Sequence, residues 1–167
     1  MPDKKTTRIL GIDPGFAITG WGIIEHGKES SAIGYGCIKT TAGTDYPSRL
    51  ISISRELDKV IKKFNPGLAV IEQLFFCKNV KTGIQVGEAR GIAILTMAKN
   101  GLPIHEFTPL QVKQAVTGYG RASKTQVQRM VQTLLGLSEI PQPDDVTDAL
   151  AIAICGAMTR KFQNPNI

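Results

Sequence analysis

The sequence contains little cysteine and little histidine, with three cysteines and two histidines in 167 residues. Cys37, Cys77 and Cys155 lie far apart, their number is odd, and no Cys-x-x-Cys pair occurs. A disulfide framework normally uses an even set of cysteines, and a structural zinc site uses a cluster of cysteine and histidine. The sequence argues against both, and we expect three reduced cysteines that serve packing.

A long hydrophobic run is also lacking, because no stretch reaches the roughly 18 unbroken apolar residues of a membrane span. The opening, "MPDKKTTRIL", carries charge but no apolar core of signal-peptide length. The hydrophobic fraction of 42% and the charged fraction of 20% are typical of a globular protein and not of a disordered one. We expect a cytoplasmic protein that contacts no membrane. We expect residues 1–167 to form a single domain, with a polar tail at 1–7 and a C-terminal tail at about 159–167.

The net charge is +6, from 20 basic and 14 acidic side chains. This modest excess is compatible with a nucleic-acid partner and also with a basic surface that contacts only solvent. The positions of the charges therefore have to decide between the two.

Hydrophobic patterning predicts a mixture of strands and helices. Apolar and β-branched segments predict three antiparallel strands at 8–13, 19–27 and 29–40, and a continuous apolar run predicts a buried strand at 67–76. Apolar residues at helical spacing predict helices at 45–64, 80–100, 108–116, 123–135 and 144–158, with a short strand at 102–107. Ser123 and Gln126 have the pattern of a capping box, and Thr108 is placed to cap the start of the helix predicted at 108–116. The order predicts one mixed α/β sheet covered by helices.

Asp13 and Glu72 stand in the predicted strands at points where a charge needs an explanation. Asp13 lies in "GIDPGFAITGWGII", directly before a Pro-Gly turn, where aspartate is common for turn chemistry alone. Glu72 lies within "LAVIEQLFF", where a charge is costly unless it meets a cation or lies at the open end of the strand. A salt bridge to a lysine or simple exposure would also explain Glu72. Because sites in open α/β sheets gather beyond strand ends, both residues are candidates for a functional site.

The last predicted helix begins with three aspartates, Asp144, Asp145 and Asp148. Spacings of three and four residues place Asp148 on one helix face with either of the other two. The helix dipole favours acidic residues in the first turn, which explains Asp144 and Asp145. It explains Asp148 less well, because Asp148 lies one turn further in and leads directly into the apolar "ALAIAI".

Four converging carboxylates repel one another and stay ionised only around a cation. Oxygen ligands without a Cys/His cluster favour Mg²⁺ or Mn²⁺ over zinc. Two such ions can activate a water molecule and stabilise the leaving oxygen of an in-line phosphoryl displacement. This is the chemistry of metal-dependent nucleases, and it needs no nucleophilic side chain.

Four motifs, "GIDPG", "IEQLFF", "VKQAVTGYGRASKTQVQRMV" and "PQPDDVTDALAIAI", resemble in their order and separation those of RuvC-type Holliday junction resolvases. These enzymes are members of the ribonuclease H-like superfamily. The similarity runs from about Arg8 to Met158. It implies a five-stranded, mixed ribonuclease H-like sheet with helices on both faces. It also implies that the protein resolves Holliday junctions, during homologous recombination and repair, by paired nicks that depend on two Mg²⁺ ions.

The resemblance assigns functional residues within these motifs. Counting back from "DALAIAI" selects Asp145 over Asp144. The catalytic and metal-binding acids are then Asp13, Glu72, Asp145 and Asp148. The resemblance also favours Phe75 as an exposed ring near Glu72 that stacks on an unpaired base, while Phe76 is expected in the core.

The basic residues suit a DNA substrate if those four acids form one site, because they contribute −4 to the total of +6 and leave +10 on the rest of the chain. Lys113, Arg121 and Lys124 surround a glycine-rich loop that leads into the helix capped by Ser123. Backbone amides and cations can share a phosphate at such a place. A flexible connection with solvated lysines is the alternative. The resemblance favours DNA contact by Lys113 and Lys124.

Gly83, Gly87 and Gly91 recur every four residues in the helix predicted at 80–100. Glycine weakens a helix interior, so this repeat suggests a closely packed partner, either the protein's own sheet or another chain. The resemblance implies a homodimer, because a two-fold junction presents two strands to cut. It further implies a junction-binding and branch-migration motor complex as a partner.

Two other functions fit parts of the sequence. "GIDPGFAITGWGI" also resembles the phosphate loop of sugar-kinase and actin-like ATPases, but those enzymes close two domains around ATP and 167 residues are too few for both. A noncatalytic DNA-binding module on the same fold would be expected to lack at least one acid, and all four are present.

Overall fold

The computed structural model describes residues 6–74 and 80–163. Over those ranges the strands are β1 (Thr7–Asp13), β2 (Ile18–His26), β3 (Ser30–Lys39), β4 (Leu68–Glu72) and β5 (Ile104–Phe107). The helices are α1 (Tyr46–Phe64), α2 (Val80–Lys99), α3 (Pro109–Thr117), α4 (Lys124–Leu135) and α5 (Asp144–Gln163). In the part of the chain that the structure describes, no helix is long and apolar enough to cross a membrane.

The five strands form one sheet in the order β3-β2-β1-β4-β5. β1 pairs antiparallel with β2, and β2 pairs antiparallel with β3. β1 and β4 are parallel, as are β4 and β5, because α1 and α2 provide the crossovers. The predicted mixed sheet, antiparallel first and parallel afterwards, is confirmed.

The two faces of the sheet carry two different hydrophobic cores. Ile9 of β1 and Val70 of β4 pack in a core with α3, α4 and α5. Leu10 and Ile71, one position further along each strand, pack in the opposite core with α1 and α2. Successive side chains of a strand point to opposite faces of the sheet, so this alternation determines toward which face each later side chain of the strand points.

Several predicted boundaries differ from the structure. β4 ends at Glu72 and not at residue 76, because its neighbours end at the same level, β1 at Asp13 and β5 at Phe107. Helix α5 continues to Gln163, beyond its predicted end at 158. Both predicted caps are present: Thr108 and Ser123 accept from the backbone amides of the third residues of α3 and α4.

The glycines of α2 do not all pack against the protein's own sheet. A Cβ added at Gly87 would lie 3.6 Å from Leu74 Cδ1, which is ordinary contact. A Cβ added at Gly91 would meet nothing within 4 Å. The alternative that the protein's own sheet accounts for the glycine repeat therefore fails at Gly91, where an added Cβ would meet open space.

Candidate active site

Asp13 and Glu72 meet at the carboxyl ends of two neighbouring parallel strands. The register pairs Ile12 with Ile71, so the next residues, Asp13 and Glu72, end their strands side by side. The alternation that sends Ile12 and Ile71 into the α1/α2 core sends the two carboxylates to the opposite face, toward α3, α4 and α5. Simple β-strand geometry thus places both acids at one point.

Helix α5 lies unusually close to this face of the sheet because glycines line the contact. A Cβ at Gly20 would lie 2.0 Å from the carbonyl oxygen of Asp145, and one at Gly11 would lie 2.1 Å from that of Ala149. Gly22 similarly faces Leu150, with only 2.6 Å from its added Cβ to Cδ2. Any side chain at these positions would lift the helix, so the glycines of β1 and β2 allow the first turns of α5 to reach Asp13.

The aspartates of α5 have different surroundings. Asp145 lies over Gly20, the partner of Asp13 across the β1–β2 ladder, and its charge contributes to the raised pKa of Asp13. Asp144 accepts a hydrogen bond from Gln128 Nε2 at 3.0 Å, which ties it to α4. Neither aspartate is among the described residues that line the cleft with Asp13 and Glu72, so the choice of Asp145 over Asp144 stays a prediction.

The ammonium of Lys124 lies between two aspartates of α5. Lys124 Nζ is 3.1 Å from Asp144 Oδ2 and 3.3 Å from Asp148 Oδ2. Burial by itself lowers the pKa of Lys124, but the two carboxylates outweigh it and the net change is upward. The sequence predicts contact between Lys124 and a DNA phosphate. In this structure Lys124, the first residue of α4, contacts Asp144 and Asp148.

The surroundings of Asp13, Glu72 and Asp148 disfavour ionisation of all three carboxyl groups at once. Burial, followed by the charges of Asp148, Glu72 and Asp145, raises the pKa of Asp13 from 3.8 to about 7. Burial also raises the pKa of Asp148, although the neighbouring ammonium of Lys124 lowers it. Carboxylates that share a confined space repel one another, and a further cation relieves that repulsion.

Glu72 is the second half-buried carboxylate of the strand ends. Burial and then the charge of Asp148 raise its pKa, while Lys113 acts in the opposite sense. The alternative that Glu72 merely reaches solvent does not describe its position, since it lines a cleft together with Asp13 and Asp148.

This cleft has a volume of about 230 Å³ and is lined by both acidic and basic side chains. The described residues that line it are Asp13, Glu72, Pro109, Val112, Lys113, Lys124, Val127, Asp148 and Ala151. Three carboxylates and two ammonium groups thus share one opening. None of these lining residues carries a hydroxyl, thiol or imidazole group.

The donor chemistry of the cleft fits Mg²⁺ or Mn²⁺. Hard divalent cations prefer carboxylate oxygen, and Asp13, Glu72 and Asp148 bring three carboxylates into one half-buried space, where burial raises the pKa of each. Within the described ranges, however, no three acidic, cysteine or histidine side chains are arranged around one point as ion ligands. The carboxylate of Asp148 is directed at Lys124 in this structure.

Other predicted residues have mixed outcomes. Lys113 lines the cleft, as a phosphate-binding residue near the acids would. Arg121 is exposed in the loop between α3 and α4 and is not among the described lining residues. Phe75 and Phe76 lie outside the described residues, so the predicted base-stacking ring stays a prediction.

Two features of the site were not anticipated from the sequence. The first is the close approach of α5 to the glycines of β1 and β2. The available signal was the spacing of Gly20 and Gly22 in "GIDPGFAITGWGII", because residues two apart lie on one face of a strand and glycine there allows another backbone to come close. Arg90 of α2 contacts the end of β4, and no local pattern points to it.

Comparisons with known proteins identify the family of the chain. The family described as "Crossover junction endodeoxyribonuclease RuvC" matches residues 9–156. A protein of that name from Caldicellulosiruptor saccharolyticus is 57% identical over 150 residues, which cover 89% of this chain and 90% of the relative. One from Alkaliphilus oremlandii is 55% identical over 155 residues, covering 92% and 94%.

Solved structures show the same fold. The structure titled "T. thermophilus RuvC in complex with Holliday junction substrate" superposes with a TM-score of 0.90 at 31% identity, over 94% of this chain and 96% of that one. The yeast mitochondrial Holliday junction resolvase Ydc2 superposes with a TM-score of 0.70 at 17% identity, over 99% and 83%, which shows the fold alone. The sheet order, the strand-end acids and the sequence match lead to one conclusion: the chain belongs to the RuvC family of crossover junction endodeoxyribonucleases.

Proposed function

We propose that this protein resolves Holliday junctions by paired, metal-dependent nicks in DNA during homologous recombination and repair. The observation that carries the proposal is the cleft in which Asp13, Glu72 and Asp148 face Lys113 and Lys124. Acids from two strands and one helix supply the oxygen ligands, and the lysines supply positive charge for the phosphodiester. The RuvC–junction complex with the same fold supports a four-way junction as the substrate.

The residues that would hold Mg²⁺, or Mn²⁺ in its place, are Asp13, Glu72, Asp145 and Asp148. The chemistry that two bound ions supply is activation of the attacking water and stabilisation of the leaving oxygen. Asp13 and Glu72 are held rigidly by the β1–β4 register, so their carboxylates need little reorganisation.

The lysines have separate tasks in this proposal. Lys113 of α3 interacts electrostatically with Glu72 and lines the same cleft, where it would hold a phosphate oxygen next to the carboxylates. Lys124 neutralises Asp144 and Asp148 and would exchange these partners for a phosphate when DNA enters. Water is the attacking group in this proposal, and none of the described residues that line the cleft carries a hydroxyl, thiol or imidazole group.

The outer face of α2 supports a homodimer. Val80, Ile84, Gly87, Gly91 and Leu95 follow one another at intervals of three and four residues and form a stripe along the helix. The three large side chains are 74%, 58% and 50% exposed. A stripe that combines exposed apolar side chains with glycines suits close packing against a second copy of the chain, and two copies provide the two sites that paired nicks need.

The oligomeric state can be measured directly. Ile84→Glu places a charge in the middle of the stripe and is expected to convert a dimer into a monomer in sedimentation or light-scattering experiments. Tyr35→Glu on β3, also an exposed hydrophobic residue, is the matched control and is expected to remain dimeric. A wild-type protein that is monomeric at all concentrations would exclude the dimer.

The same proposal includes a cytoplasmic location and a junction-binding, branch-migration motor complex as partner. The family resemblance supports both. Reconstitution with the motor proteins of the same organism would test the partnership, with a change in the rate or position of junction cutting as the expected result.

The decisive experiment incubates the purified protein with a synthetic four-way junction and Mg²⁺, with linear duplex and ATP as comparisons. Paired nicks in the junction, abolished by EDTA, are expected. ATP turnover without nicking would instead support the actin-like ATPase, and tight junction binding without nicking by the wild-type protein would support a noncatalytic module.

A further inference from the structure

The backbone carbonyl of Glu72 lies at the end of the β1–β4 ladder, where β1 has no backbone N–H to donate to it. The backbone amides of Ala69 and Gln73 point toward β5: they donate to the carbonyls of Pro103, just before β5, and of Phe107, its last residue. Because consecutive residues of a strand direct their backbone groups to opposite neighbours, the N–H and C=O of Glu72 point toward β1. In a parallel ladder that carbonyl accepts from the residue after its partner, and the register makes this residue Pro14. Proline has no N–H, so the ladder leaves the Glu72 carbonyl without its regular partner.

Arg90 provides the missing donor from the other side of the sheet. Its Nε donates to the Glu72 carbonyl oxygen at 3.1 Å. Its Nη2 lies 2.8 Å from Oε2 of Glu106, a residue of β5. The Arg90 side chain is only 16% exposed. One planar guanidinium therefore links the end of β4 to β5, next to the cleft.

We propose that Arg90 is a positioning residue for Glu72. By satisfying the Glu72 carbonyl and fixing it to β5, Arg90 keeps the Glu72 carboxylate level with that of Asp13 without touching the substrate itself. The inference rests on the proposed function, because it concerns the same acidic site. A guanidinium suits this task and an ammonium does not, since only the planar fork offers several fixed N–H directions at once.

The test compares Arg90→Lys, which keeps the charge but loses the fork, with Arg55→Ala. Arg55 is a matched control because it also forms an arginine–glutamate pair, but on the exposed surface of α1 and away from the cleft. Mn²⁺ binding to the DNA-free protein is measured by electron paramagnetic resonance of the free ion. Junction binding is measured in Ca²⁺, and the cutting rate is measured at saturating junction and Mg²⁺.

Arg90→Lys is expected to weaken Mn²⁺ binding and lower the cutting rate by roughly 10-fold or more, as loss of a group that orients a metal ligand commonly does. Junction affinity and the melting temperature are expected to change little, whereas a purely structural arginine would lower the melting temperature and leave Mn²⁺ binding by the folded fraction intact. Added guanidinium ion is expected to restore part of the cutting by Arg90→Ala. Arg55→Ala is expected to behave as the wild type in every assay.

If variants at Arg90 do not fold, Glu106→Gln carries the test, because it removes the partner that orients the guanidinium and leaves Arg90 in place. Weaker Mn²⁺ binding by a folded Glu106→Gln protein supports the proposal. The proposal is overturned if Arg90→Lys binds Mn²⁺ and cuts junctions as the wild type does. Where only Glu106→Gln folds, the same result in that variant overturns it. Failure of the wild type itself to cut junctions would instead overturn the proposed function.

Discussion

Asp13 is expected to destabilise the protein when no divalent cation is bound. Its pKa is raised from 3.8 to about 7, first by burial and then by the neighbouring carboxylates. The folded protein therefore holds this proton more tightly than the unfolded chain does. Stability is lost as the pH rises from about 4 to about 7, and above that range the loss is complete.

The size of the effect follows from the pKa change. One pKa unit corresponds to about 1.4 kcal/mol, so a rise from 3.8 to about 7 corresponds to an upper limit of ~4 kcal/mol. Asn at position 13 keeps the shape and removes the charge. In EDTA at pH 8 we expect Asp13→Asn to be more stable than the wild type by ~2–4 kcal/mol, which raises Tm by roughly 5–10 °C for a chain of this length.

The assay is thermal and urea unfolding, followed by circular dichroism, at pH 4.5 and pH 8. The advantage of Asp13→Asn is expected to nearly vanish at the lower pH, where the wild-type carboxyl is protonated in the folded state. Added Mg²⁺ is expected to stabilise the wild type at pH 8 by binding the folded state, and to stabilise the variant much less. The variant is expected to bind junctions and not to cut them.

Asp58→Asn is the control with the opposite sign. Hydrogen bonds from Lys62 and then Asn100 lower the pKa of Asp58, so its charge is favourable in the folded protein and its removal should not stabilise at pH 8. If Asp13→Asn is no more stable than the wild type in EDTA at pH 8, or if its advantage is the same at both pH values, the electrostatic reasoning about the cleft is refuted.

Three further predictions concern the same site. Asp145→Asn should abolish cutting, whereas Asp144→Asn should reduce it modestly by loosening the contacts of Asp144 with α4; loss of cutting in the second alone would reverse the assignment. Lys113→Ala should weaken junction binding and reduce the slope of the logarithm of the binding constant against the logarithm of salt concentration by about one, because the variant neutralises one phosphate fewer. An unchanged slope and cutting rate would mean that Lys113 contacts only solvent. Phe75→Ala should leave Tm nearly unchanged and lower junction cutting, because base stacking on an aromatic ring contributes about 1–3 kcal/mol. A drop in stability of the size expected for a core ring, about 3–5 kcal/mol, with normal cutting by the folded fraction, would contradict the stacking role.

Local patterns in the sequence determined much of the site. The alternation of "RILGID" and "LAVIE" is enough to send Asp13 and Glu72 to one face once the two strands are parallel neighbours, because strand side chains have a period of two. The caps at Thr108 and Ser123 were also readable, since capping acts between residues three apart in the chain. The motif resemblance then supplied the family.

Only the tertiary structure decided what depends on contacts between layers. The contacts of Asp144 with Gln128 and Lys124 follow from α4 lying beside α5, and the end of β4 at Glu72 follows from where its neighbours end. Arg90 reaches Glu72 from 18 positions further along the chain and from the opposite face of the sheet. The periodicities of strands and helices repeat within a few residues, so they fix which face a side chain takes but not which distant side chain it meets there.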